Sequence, residues 1–82
     1  MFFSKREKEI TGVPLQARKV IVSQKIKEFR HKNHLTQTQF ADLFGITAQS
    51  VSKWEREKCY PDISFLPILA EAMECRVDDF FA

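Results

Sequence analysis

A chain of 82 residues and 9.6 kDa is read as one small domain, which at this size buries only about 60% of its unfolded surface and has little room for a catalytic cavity. Its 44% hydrophobic and 29% charged residues exclude a disordered polymer, and the sequence has no apolar run of the roughly 18 residues a membrane span needs. The net charge of +2 is unevenly spread, with +6 over residues 1–32, 0 over 33–60 and −4 over 61–82, so one end is suited to a polyanion.

The opening MFFSKREKEI lacks the apolar centre of a signal peptide, and a cytoplasmic location is expected. Ser4 and Glu7 have capping-box spacing, which would support a helical turn over residues 5–10. Thr11-Gly12-Val13-Pro14 then breaks the chain. Residues 1–20 are therefore expected to form an N-terminal arm, and residues 21–82 the domain. The β-branched run Val20-Ile21-Val22 suits either a short strand or the start of a helix.

Helical periodicity begins at Val22. Val22, Ile26 and Phe29 share one face of a helix ending near Lys32, and Asn33-His34 reads as the connector. Thr36 with Gln39 forms the next capping box, opening a second helix with Phe40, Leu43 and Phe44 on its apolar face. Gly45 follows as the left-handed residue that closes it. Thr47 caps a third helix carrying Val51 and Trp54, and Pro61-Asp62 ends the next connector. A fourth helix holds Phe65, Leu66, Leu69, Ala70, Ala72 and Met73. Pro67 fits only its first turn, which favours Ser64 over Asp62 as the N-cap. A last short helix is expected from Val77 to Phe81. The fold class is all-α, with five helices and an arm.

His31, His34, Cys59 and Cys75 match a Cys₂His₂ set by number, but no CxxC is present, so neither a metal nor another cofactor is expected. A disulfide is not expected in a reducing compartment, and both cysteines read as small packing residues. No carboxylates or histidines stand at catalytic spacing, so the chain is not read as an enzyme.

Gln37 to Arg56 is two short helices joined by a tight turn at Gly45, the helix-turn-helix plan, with small Ala41 where the helices cross. A plain αα-hairpin would need no special residues on the outer face of the third helix. Advancing about 100° per residue from Val51, with the core at about 330°, puts Arg56 at about 140°, Gln49 at about 160° and Lys53 at about 200°. Ser52 flanks them, Ala48 lies toward the helix start, and Glu55 falls on the inner side. Gln pairs with adenine, Lys and Arg reach guanine, and Ala meets a thymine methyl.

The run LTQTQFADLFGITAQSVSKWEREKCYPD resembles the phage-repressor and Cro (Xre-type) helix-turn-helix family, and the similarity extends from Val22 to Phe81. The resemblance implies a five-helix domain and a sequence-specific regulator of transcription, read as a repressor. It also implies a third helix in the major groove of double-stranded DNA and a homodimer on a palindromic operator. By the same resemblance Ala48, Gln49, Ser52 and Lys53 read bases, while Gln37, Thr47, Arg56 and Lys58 hold the DNA backbone. Arg30 and Glu55 match a buried ion pair between the first and third helices. An antitoxin, or another protein-interaction module retaining the fold, is the alternative; acidic or apolar residues on the reading face would mark it.

The chain departs from the family pattern at Glu74-Cys75, where glycine is usual, so that turn is expected to be reshaped. Arg76 replaces a Ser/Thr cap, and Lys58 stands where a small residue is common. Phe80 is expected to face inward. Phe81, with Val77 or Met73, is expected to meet a dimer partner, and the arm with Phe2 and Phe3 is the rival surface.

Overall fold

The computed structural model describes residues 17–82, so the helical turn expected over 5–10 and the rival surface at Phe2 and Phe3 lie outside the described residues. Among the described residues four α-helices carry the fold: α1 (Val22–Lys32), α2 (Gln37–Leu43), α3 (Ala48–Glu55) and α4 (Leu66–Ala72). Single 3₁₀ turns cover Ile63–Phe65 and Val77–Phe80. Among the described residues no strand forms beyond an isolated antiparallel bridge between Val20 and Phe81.

The N-terminal side of α1 is tied to the end of the chain. Ile21 N–H donates to the Phe80 carbonyl at 2.8 Å, and Ala82 N–H to the Lys19 carbonyl at 2.8 Å. Val20 therefore takes the strand option, and Val22 starts the helix. Ile21 offers no side-chain cap, so this pairing orients the helix entry. Arg30, His31 and Lys32 in the last turn complement the helix dipole.

The capping box of α2 forms with both bonds: Gln39 N–H reaches Thr36 Oγ1 at 3.0 Å, and Thr36 N–H reaches Gln39 Oε1 at 2.9 Å. Thr47 caps α3 through a bond from Ser50 N–H at 3.1 Å. The fourth helix begins differently from the expectation. Neither Ser64 nor Asp62 caps it: Asp62 caps the 3₁₀ turn that precedes it, accepting the Ser64 N–H at 3.1 Å, and the N-cap position of α4 is Phe65, which makes no side-chain cap bond. A 3₁₀ turn takes up the next three residues, and α4 starts only at Leu66. Pro67 thereby stays in the first α-helical turn, where its missing donor has no partner to lose. The expected fifth helix is a 3₁₀ turn that stops at Phe80, because Phe81 swings into extended backbone to pair with Val20.

Helices α1 to α4 end alike. The left-handed residues are His34 after α1 (φ 57°), Gly45 after α2 (φ 67°), Glu57 after α3 (φ 59°) and Glu74 after α4 (φ 56°). In each case the N–H one residue further on reaches back to close the last turn: Leu35 to Arg30 O at 2.9 Å, Ile46 to Ala41 O at 3.1 Å, Lys58 to Lys53 O at 2.8 Å and Cys75 to Ala70 O at 2.9 Å. The turn at Glu74 is thus retained, not reshaped. The cost of a side chain in this conformation is about 1–2 kcal/mol, and the two carbonyl bonds of the motif offset it. After α3 the left-handed position falls on Glu57 and leaves Lys58 unstrained. Arg76 N–H donates to Asp79 Oδ2 at 3.0 Å, which supplies one bond at the turn where the Ser/Thr cap is replaced.

Val22, Ile26, Phe40, Ala41, Val51, Trp54, Leu69, Ala70 and Phe80 form the core. A file of aromatic rings crosses it, from Phe29 to Phe40 at 6.1 Å, Phe44 at 5.0 Å, Phe65 at 5.7 Å and Trp54 at 5.7 Å. Phe44 and Ile46 pack against this core from the turn. Leu43, expected on the apolar face of the second helix, is 60% exposed. It is the last residue of a seven-residue helix, and the adjacent Phe44 takes the place over the core.

Candidate nucleic-acid interface

Helices α2 and α3 pack closely against each other, with Ala41 of α2 buried and Gly45 making the turn between them. The inner side of α3 is filled by Val51, Trp54 and Glu55. Its outer side exposes Gln49, Lys53 and Arg56, with Ala48 and Ser52 partly covered beside them. Arg56 Nε donates to Ser52 Oγ at 3.2 Å and to the Ser52 carbonyl at 3.3 Å, so this guanidinium lies along the helix surface. Thr47 is exposed and spends its oxygen on the cap, while Lys58 is exposed just past the helix.

Beneath this face lies a compact polar cluster. Arg30 donates to Glu55 from Nε at 2.7 Å and from Nη2 at 3.0 Å, and its Nη1 reaches the Leu35 carbonyl at 2.9 Å. The two side chains are 14% and 5% exposed, which makes this a buried, two-pronged pair. Gln37 Nε2 adds a third bond to Glu55, at 3.2 Å. Burial by itself would raise the Glu55 carboxyl, but the bonds from Arg30 and Gln37 outweigh it and hold its pKa below the ordinary carboxylate value. The same contact holds the Arg30 pKa above its ordinary value. Gln37, expected on the DNA backbone, thus directs its amide inward; one amide proton remains for an outside acceptor.

Three features escaped sequence reasoning. Ser23, 3% exposed, donates its hydroxyl to Glu57 Oε2 at 3.0 Å. A signal for it existed: Ser23 and Arg30 are seven residues apart, hence on the same apolar face of α1. Arg18 forms an exposed ion pair with Asp78 at 2.6 Å, also bonds the Phe81 carbonyl at 2.8 Å, and lies over the Phe81 ring at 5.9 Å. The third is an apolar groove of about 250 Å³ lined by Val20, Tyr60, Pro61, Ile63, Leu66 and Phe81, among others. Phe80 is fully buried, as expected. Phe81 lines this groove, and Met73 lines another with Lys25, Glu28 and Cys75.

Cys59 and Cys75 are free thiols, and burial pushes the Cys75 thiol up. Among the described residues no three His, Cys, Asp or Glu side chains gather as a metal site. Among the same residues no helix is long and apolar enough to cross a membrane.

Two closely packed short helices, a left-handed glycine turn and a second helix with a polar outer face define the helix-turn-helix class. The chain belongs to the helix-turn-helix family, whose pattern matches residues 26–80. It is similar to the HTH-type transcriptional activator BcrR of Enterococcus faecalis, with 27% identity over 60 residues, covering 73% of this chain. The chain spans only 29% of that relative's length. No solved structure matches it significantly.

Proposed function

We propose that this chain is a sequence-specific DNA-binding regulator of transcription that inserts α3 into the major groove. The observation that carries this reading is the asymmetry of α3: Gln49, Lys53 and Arg56 are exposed together, while the helix's one carboxylate, Glu55, is turned inward onto Arg30. Phosphates repel carboxylates and attract the cations, and the exposed side chains can read base edges. Ala48, Gln49, Ser52 and Lys53 are the base-reading set. Thr47, Arg56, Lys58 and the remaining amide proton of Gln37 serve the DNA backbone.

The protein acts as a homodimer on a palindromic operator, since half-sites about 34 Å apart multiply the small contact of one module. The groove beside Phe81 is the pairing surface. Ile63 on it is 82% exposed and Tyr60 52%. It begins a few residues beyond the end of α3, and the Arg18–Asp78 ion pair flanks Phe81. Repression follows from occlusion, which requires binding alone; the similarity to an activator makes activation the competing outcome.

Selection from randomised duplex DNA tests the reading. Enrichment of a palindrome with half-sites one helical turn apart is expected, and no enrichment overturns it. A reporter carrying the selected site over a promoter distinguishes repression from activation.

A further inference from the structure

α1 holds the trailing end of α3 by two polar links. Arg30, near its C-terminus, takes Glu55, and Ser23, in its first turn, takes Glu57. Both carboxylates stand among the cations Lys53, Arg56 and Lys58, and both are drawn toward α1. They differ in how firmly they are held. Glu55 is buried and bonded by Arg30 and Gln37, whereas Glu57 is an exposed residue whose side chain is held by the Ser23 hydroxyl.

The turn does not need that side chain. Its closing bonds, Glu57 N–H to Trp54 O at 3.1 Å and Lys58 N–H to Lys53 O at 2.8 Å, are made by backbone. Removing the hydroxyl of Ser23 would release the carboxylate to solvent without opening the turn. The freed anion would then sweep the segment that carries Arg56 and Lys58.

We propose that Ser23 is a positioning residue for nucleic-acid binding: its buried hydroxyl parks the Glu57 carboxylate on α1, so that the end of α3 meets phosphates with its cations alone. This rests on the DNA-binding reading above. A carboxylate within about 4 Å of a phosphate in water costs about 1 kcal/mol, or about fivefold in affinity. The loss is uniform across sequences and shrinks as salt rises, because it is an exposed charge effect.

The test is fluorescence anisotropy with the full chain on the selected duplex and on a random one, at low and high salt. Ser23→Ala should bind both about fivefold more weakly at low salt, and Ser23→Ala with Glu57→Gln should return to wild-type affinity, since the neutral side chain no longer repels phosphate. A simple structural latch would leave the double variant as weak as the single one, and that result, or wild-type affinity in Ser23→Ala, overturns the proposal. If Ser23→Ala also lowers the melting temperature, Glu57→Ala decides. It should bind at least as tightly as wild type, and weaker binding refutes the parking role. Wild-type protein that binds neither duplex removes the DNA-binding reading and this inference together; wild-type binding with an unaffected Ser23→Ala removes only the inference.

Discussion

The Arg30 guanidinium grips the Glu55 carboxylate at 2.7 and 3.0 Å. Because Gln37 bonds the same carboxylate and Arg30 also bonds the Leu35 carbonyl, one buried anion joins α1, α2 and α3. Removing a partner from such a pair leaves a buried charge without compensation. Arg30→Ala should therefore lower stability by about 3–5 kcal/mol, a large share of the about 5–15 kcal/mol of a whole domain. Urea unfolding measures it; an unchanged midpoint would contradict the role given to this cluster.

Acid should weaken the same cluster. The Glu55 pKa in the folded chain lies below its ordinary value of 4.5, so the folded state binds that proton less readily than the unfolded chain. Its stabilisation is fully present above that ordinary value and is lost as pH falls through the lower, folded value. Asp62 and Asp78 are shifted the same way by their own partners, so the acid limb is shared. Glu55→Gln should make stability less steep in this window, as seen in urea midpoints measured from neutral pH down through the acid range.

The left-handed helix ends offer a gain. His34 and Glu74 hold φ of 57° and 56°, and exchanging either for glycine removes the steric penalty while adding unfolded-state entropy. Each change should raise stability by roughly 0.5–1 kcal/mol. Gly45→Ala should cost about 1 kcal/mol, and by strain alone, since nothing lies within 4 Å of where its Cβ would stand. Thermal melts of the three variants check the signs.

On DNA, the exposed residues should separate into two groups. Gln49→Ala and Lys53→Ala should each cost about 1–3 kcal/mol at the selected site and relax one or two base positions. Arg56→Ala and Lys58→Ala should weaken all sequences alike and reduce the salt slope by about 1 each. Gln37→Ala should weaken binding with little change in slope, and should also lower the melting temperature because it supports Glu55. Equal losses of Lys53→Ala on selected and random DNA would refute base reading.

The proposed pairing surface is best probed at Ile63. Phe81 packs against the core as well as lining the groove, so a charge there would disturb both. Ile63 is 82% exposed, and Ile63→Asp should keep the helical circular dichroism spectrum while converting a dimer to a monomer in sedimentation at micromolar concentration. Deletion of residues 1–14 should leave the dimer intact; a dimer lost with that deletion and kept in Ile63→Asp would move the interface to the arm.

Local rules made much of this protein legible in its sequence. The capping residues Thr36, Gln39 and Thr47, the turn at Gly45, and the inner and outer faces of α3 all follow from spacings of five residues or fewer. Such bonds are specified by residue type and spacing. The tertiary structure decided what depends on partners distant in the chain. Phe81 left its helix because Val20, 61 residues earlier, offered a bridge, and Asp62 became a cap because a 3₁₀ turn absorbed the residues before Pro67. Leu43 reached solvent because its helix ends where Phe44 takes the core. Glu57 and Glu74 accepted a conformation their own side chains disfavour, because the closing backbone bonds outweigh the local strain. Local preferences differ by about 1 kcal/mol per residue, so a few long-range bonds suffice to reverse them.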